Sequence, residues 1–149
     1  MSKRNDQVFV LWGNQFEEMT AVTFITILRE AGLRVKLVSL SPRKNLGSHG
    51  IALIPDLTLD QALALASRVN CFIIPYTASG LTHFLRDPRL DQLFQRAKKQ
   101  QPRMIVGSGN RTDIAELSSF PVKRVVTYPD REQLVAFAEA LVRSLLKMR

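Results

Sequence analysis

Apolar residues along this chain fall into two alternating rhythms. Short runs at Gln7 to Trp12, Leu33 to Leu40, Ile51 to Ile54, Cys71 to Pro75, Met104 to Val106 and Val122 to Thr127 read as strands, several of them apolar enough to be buried on both faces. Between them lie longer stretches of helical period. The first opens after a Gly13-Asn14-Gln15 turn with Glu17 and Glu18, whose charges suit a helix amino end, and runs to about Ala31 before Gly32 ends it. Met19, Val22, Ile25 and Leu28 form its apolar stripe, and Phe24 and Ile27 widen that stripe beyond what one sheet face needs, which predicts a second buried contact. Thr58 reads as the cap of a helix carrying Leu59, Ala62, Leu63 and Ala66. The stretch from Leu81 to Gln100 reads as two helical pieces, because Asp87-Pro88 interrupts it. A short helix from Asp113 to Leu117 and a closing helix from Asp130 to Lys147 complete the pattern, the latter with Leu134, Phe137, Leu141 and Leu145 toward the core. Strands alternating with helices predict an α/β fold with a mostly parallel sheet covered on both faces. No repeat or linker divides the sequence, so residues 1–149 are expected to form one domain.

Composition adds little to this picture except charge. Hydrophobic residues at 46% and charged residues at 23% are ordinary for a globular chain, and no run approaches the roughly 18 apolar residues of a membrane helix. The first residues, Met1 to Asp6, carry no apolar signal region, so a cytoplasmic location is expected. A net charge of +8 raises the prior for a nucleic-acid partner. The basic residues are dispersed, however, in small groups at Arg43-Lys44, at Lys98-Lys99 with Arg103, and at Lys123-Arg124. Dispersed charge reads as a solvated surface, and nucleic acid stays a minor hypothesis.

The sole cysteine, Cys71, opens an apolar run and reads as a buried thiol. His49 and His83 are the only imidazoles; neither stands at ligand spacing to another metal-binding residue, so no metal and no cofactor are predicted. His49 precedes the third predicted strand and is expected at the opposite edge of the sheet, whereas His83 follows the fourth and is expected near the strands' carboxyl ends. Gly107-Ser108-Gly109 lacks the spacing of a dinucleotide or phosphate loop. It reads instead as a tight strand-to-helix turn, the place where many α/β enzymes mount a nucleophile.

Three ordered stretches resemble the ThiJ/PfpI superfamily, relatives of the class I glutamine amidotransferase domain. They are Phe16-Glu17-Glu18-Met19; Ile51-Ala52-Leu53-Ile54-Pro55-Asp56 with Leu59-Asp60-Gln61-Ala62; and Phe72-Ile73-Ile74-Pro75 followed by Leu85-Arg86, Leu90, Leu93-Phe94, Pro102 and the strand into Ser108. The resemblance implies a flavodoxin-like three-layer sandwich and a homodimer. It also implies an elbow cysteine supported by a glutamate of the first helix and often by a histidine. Ser108 matches that cysteine here, Glu17 the first acid of the helix motif, Thr20 its last acid, and Tyr128 the histidine; Tyr76 to Gly80 stand where the family has a glycine pair.

Two functions follow. The favoured one is a binding or interaction module that has lost cysteine chemistry, its cleft at the strands' carboxyl ends accepting a small ligand or nothing. The alternative is a serine-dependent hydrolase or deglycase-like enzyme, with Ser108 attacking a carbonyl, His83 or Tyr128 assisting and Glu17 orienting. The homodimer expectation rests on the wide apolar stripe of the first helix together with the family's habit.

Overall fold

Every residue of β1 (Gln7–Trp12) is buried, as a central strand must be when helices cover both faces of its sheet. A computed structural model describes residues 6–107 and 109–147, and Ser108, the predicted elbow residue, lies outside them. β1 is flanked by β2 (Val35–Ser39) and β4 (Val69–Ile74), and the sheet continues outward through β3 (Leu57–Thr58) on one side and β5 (Arg103–Val106) and β6 (Val125–Thr127) on the other. The order is β3-β2-β1-β4-β5-β6, with every pairing parallel.

Parallel neighbours need crossover connections, which the helices supply. α1 (Glu18–Glu30) packs against α6 (Arg131–Lys147) on one face. α2 (Leu59–Leu65), α3 (Ala78–Leu85), α4 (Arg89–Ala97) and α5 (Arg111–Ser118) contact one another on the other face. The result is an α/β flavodoxin-like sandwich. Its strand order reverses between β1 and β4, and the carboxyl ends of those two strands therefore flank the crevice where such sheets hold ligands. No helix of the described residues is long and apolar enough to cross a membrane.

Three expectations are corrected. Ile51 to Ile54 is not a strand: Ile54 is 89% exposed, and Pro55 has no N–H to give a ladder. The chain joins the sheet only at Asp56, whose N–H donates to the Leu37 carbonyl (2.8 Å) and whose carboxylate accepts from the Leu37 N–H (2.8 Å), so that β3 begins one residue later. The predicted strand from Val122 is likewise shortened, because residues 122–124 wind into a 3₁₀ turn whose carbonyl at Val122 accepts from Arg111.

The third correction concerns α1. Met19 and Val22 point to solvent, and the buried face is Ala21, Phe24, Ile25 and Leu28. Phe24 meets Phe137 of α6 edge-on at 6.1 Å and Tyr128 at 5.8 Å. The width of the stripe thus serves a helix of the same chain. Elsewhere the pattern holds: Thr58 and Gln61 form a reciprocal capping box on α2, and Leu134, Leu141 and Leu145 of α6 are buried.

Candidate functional site

The turns that leave β1 and β4 meet at the crevice. After β4 the side chain of Tyr76 folds across it: the Gly13 N–H donates to the phenol oxygen (2.8 Å), which donates onward to the Asn14 carbonyl (2.8 Å). Its ring stacks on Phe84 with centroids 4.8 Å apart. Burial pushes the Tyr76 phenol up to about 12, against the opposing effect of the Gly13 bond. Tyr76 thus occupies the backbone donor of Gly13 with its own side chain.

Tyr128 enters from the end of β6, where its N–H donates to the Val106 carbonyl (2.8 Å) and extends the sheet register by one residue. Its phenol donates to the carboxylate of Glu17 and lies 3.2 Å from the Tyr76 carbonyl. Glu17 is fixed in turn, since its N–H donates to the Pro75 carbonyl (2.8 Å) immediately before α1 begins. Burial, reinforced by the hydrogen bond to Glu17 and by its charge, drives the Tyr128 phenol far above its ordinary value; a hydrogen bond with Thr20 offsets only part of this. Tyr128 is therefore a neutral donor, and its single hydrogen is committed to Glu17.

Gly107 permits this closure. Its N–H donates to the Tyr76 carbonyl (3.0 Å), and a Cβ there would overlap that carbonyl and come within 3.0 Å of the Tyr128 phenol oxygen.

Glu18 turns the other way and is only 5% exposed. It accepts from the backbone N–H of His49 (2.6 Å) and of Ile51 (3.2 Å), from the Ser48 hydroxyl (3.2 Å), and lies 3.1 Å from His49 Nδ1. Burial resists ionisation, but these bonds outweigh it and hold the carboxyl at about 2. A Cβ on Gly47 would collide with this carboxyl group, so glycine is needed for the loop to close.

His49 therefore sits beside the amino end of α1 and not at the opposite edge of the sheet. The loop after β2 is tied down there, because the Gln15 N–H donates to the Leu46 carbonyl (2.7 Å) and the Ser48 N–H to the Phe16 carbonyl (2.9 Å). Its imidazole is 78% exposed.

These groups border an open cavity of about 720 Å³, with Glu17, Tyr128 and His49 among polar walls and Met19, Val22 and Leu134 among apolar ones. Of the predicted site residues, Glu17 and Tyr128 are brought together, Ser108 lies outside the described residues, and His83 stands exposed on α3, away from the cavity lining. Cys71 is buried in β4, where desolvation pushes its thiol up to about 12 despite the charge of Arg103. Among the described residues no three His, Cys, Asp or Glu side chains could hold a metal ion together. Glu18 and His49 were not singled out as partners by the sequence; the only local sign is the tight run Gly47-Ser48-His49-Gly50.

Residues 6–143 match the model of the DJ-1/PfpI family. The chain belongs to that family. Among solved structures it is similar to Drosophila melanogaster DJ-1beta, with a TM-score of 0.73 at 13% identity over 94% of this chain and 90% of that one. A ThiJ/PfpI domain protein from Brachyspira murdochii gives a TM-score of 0.72 at 16% identity over 99% of both chains. A DJ-1 superfamily protein from Salmonella typhimurium gives 0.72 at 17% identity over 95% and 91%. At these identities the likeness speaks for the fold alone. No curated protein matches the sequence. This DJ-1/PfpI member has a lone cysteine, Cys71, buried in the sheet.

Proposed function

We propose that this DJ-1/PfpI member is a small-molecule binding module that works without cysteine chemistry. The observation that carries the reading is the Tyr128–Glu17 bond, which uses the phenol hydrogen and one carboxylate oxygen on each other. A serine hydroxyl becomes a nucleophile only beside a base free to take its proton. Tyr128 has spent its hydrogen on Glu17, the Glu17 carboxylate is made a weaker base by accepting it, and His83 faces solvent on α3. The one thiol of the chain is sealed in β4 with its ionisation suppressed.

The cavity beside α1 has the volume expected for a small ligand, and Met19, Val22, Ile51 and Leu134 give it apolar walls. Met19, Val22 and Ile51 are also exposed, at 53%, 45% and 52%, and a second copy of the chain covering that rim would close the cavity between two protomers. The proposal therefore includes a homodimer, and light scattering of a 16.8 kDa monomer at micromolar concentration would remove that part of it.

The catalytic alternative is separated by a serine-directed fluorophosphonate probe applied to the intact protein and to Ser108→Ala. The binding-module reading expects no labelling of either. Labelling that disappears in Ser108→Ala would establish the serine-dependent hydrolase or deglycase-like enzyme in its place.

A further inference from the structure

Basic groups that are dispersed in the sequence gather at the far end of the sheet from the cavity just described. Lys98 and Gln101 lie on the connection from α4 to β5, and Lys123 and Arg124 on the connection from α5 to β6. All four border a cleft of about 170 Å³ at the amino ends of β5 and β6, and no acidic residue lines it. Arg29 and Arg89 pair with Asp56 and Asp87, but among the described residues Lys98, Lys123 and Arg124 form no ion pair. The base of the cleft is apolar, formed by Phe94 and Phe120, whose rings meet edge to face with centroids 5.0 Å apart.

The backbone around this cleft is unusual. Gln101 and Ser119, both in its lining, adopt left-handed conformations with φ of 50° and 60°. Glycine is the common occupant of such helix-ending positions because it carries no Cβ penalty. At position 101 the side chain is in use: Gln101 Oε1 accepts from Arg124 Nη2 at 2.9 Å. A neutral amide orients the guanidinium without cancelling its charge. The negative end of α4 accounts for a lysine at position 98. It does not account for Arg124, which precedes β6, or for the conformationally costly glutamine that holds it.

We propose that this cleft binds a small anion with one flat apolar body, the ring resting on Phe94 and Phe120 and a carboxylate or phosphate group meeting Arg124 and Lys123. Size decides against a nucleic-acid strand. A cavity of about 150 Å³ holds one benzene-sized molecule, whereas strand binding needs cations spread along several successive phosphates.

Phenyl phosphate and benzoate, titrated into the full chain and followed by amide shifts in NMR spectra, test the proposal. Saturable shifts centred on Gln101 and Arg124 are expected with at least one of them, and the tighter binder assigns the anion. Inorganic phosphate and phenol, each lacking half of the ligand, should bind about ten-fold more weakly or worse, and Arg124→Gln should lose about ten-fold. Gln101→Gly separates a binding role from a structural one: it relieves the left-handed strain, so thermal stability should hold or rise while phenyl phosphate binding falls several-fold. Equal binding by the native protein and Arg124→Gln would overturn the proposal. So would inorganic phosphate matching phenyl phosphate, or a short single-stranded oligonucleotide displacing it from the same residues at lower concentration.

Discussion

Two consecutive glutamates stand at the start of α1, and the regions they face are built on different terms. Glu17 looks toward β6 and accepts one hydrogen from a buried phenol. Glu18 looks toward the loop at residues 47–51 and accepts from backbone N–H groups and a hydroxyl, with the edge of an imidazole beside it. Both partner sets are hydrogen-bond donors, but their consequences diverge. Amides cannot surrender their hydrogens, so several of them around one carboxylate make a fixed anion and a loop that cannot lift without stranding it. A phenol is itself an acid, and a carboxylate beside it keeps it protonated. The Glu18 region is thus a structural staple, while the Glu17 region defines the protonation state of the cavity wall. The identity of the donor separates the two roles more sharply than burial does.

The largest effect is expected at Gly107. Gly107→Ala sets a methyl group against the Tyr76 backbone carbonyl, which cannot move aside, and should cost about 3 kcal/mol or more in a denaturant melt. Tolerance of that change would show that the Tyr76–Tyr128 side of the site is looser than its packing indicates.

Next is Glu18→Gln, which should cost about 2 kcal/mol at neutral pH because the amide turns N–H groups toward donors. Its pH dependence carries a sign. The folded pKa lies at about 2, below the ordinary 4.5, so the carboxylate's contribution is complete above 4.5 and fades as pH falls toward 2. The stability gap between native protein and variant should close across that window; a gap that persists unchanged at the acid end would remove the electrostatic explanation.

The smallest effect is expected of His49→Ala, under about 1 kcal/mol, since an exposed imidazole adds little and the backbone N–H that makes the 2.6 Å bond survives the substitution. A loss as large as that of Glu18→Gln would shift the staple from backbone to imidazole.

Much of the fold was readable from pattern alone, for physical reasons that also mark the limit. β1, β4 and β5 are fully or nearly fully buried, and such strands must be continuous apolar runs. The edge of the sheet is different. Ile51 to Ile54 has a strand's composition without a strand's environment, and only the docking of Asp56 onto Leu37 shows where pairing begins. Met19 and Val22 fit a helical stripe as well as Ala21 does, because periodicity fixes spacing but not which of two overlapping faces the sheet and α6 will cover.

The site divides the same way. Family resemblance points to Glu17 and Tyr128, yet they stand 111 residues apart and nothing local joins them. Glu18 meets His49 across 31 residues, through a loop whose path depends on bonds to Gln15 and Phe16.

The state of Tyr128 is the point on which the reading of this site turns, and tyrosinate absorbance measures it directly. The chain has two tyrosines, Tyr76 and Tyr128, both held above the ordinary value of 10. A spectrophotometric titration of the native protein should show no step near pH 10, with Tyr76 ionising at about 12 and Tyr128 later; Glu17→Gln should bring only the later step down. A step near pH 10 in the folded native protein, or a Glu17→Gln profile identical to it, would contradict the account.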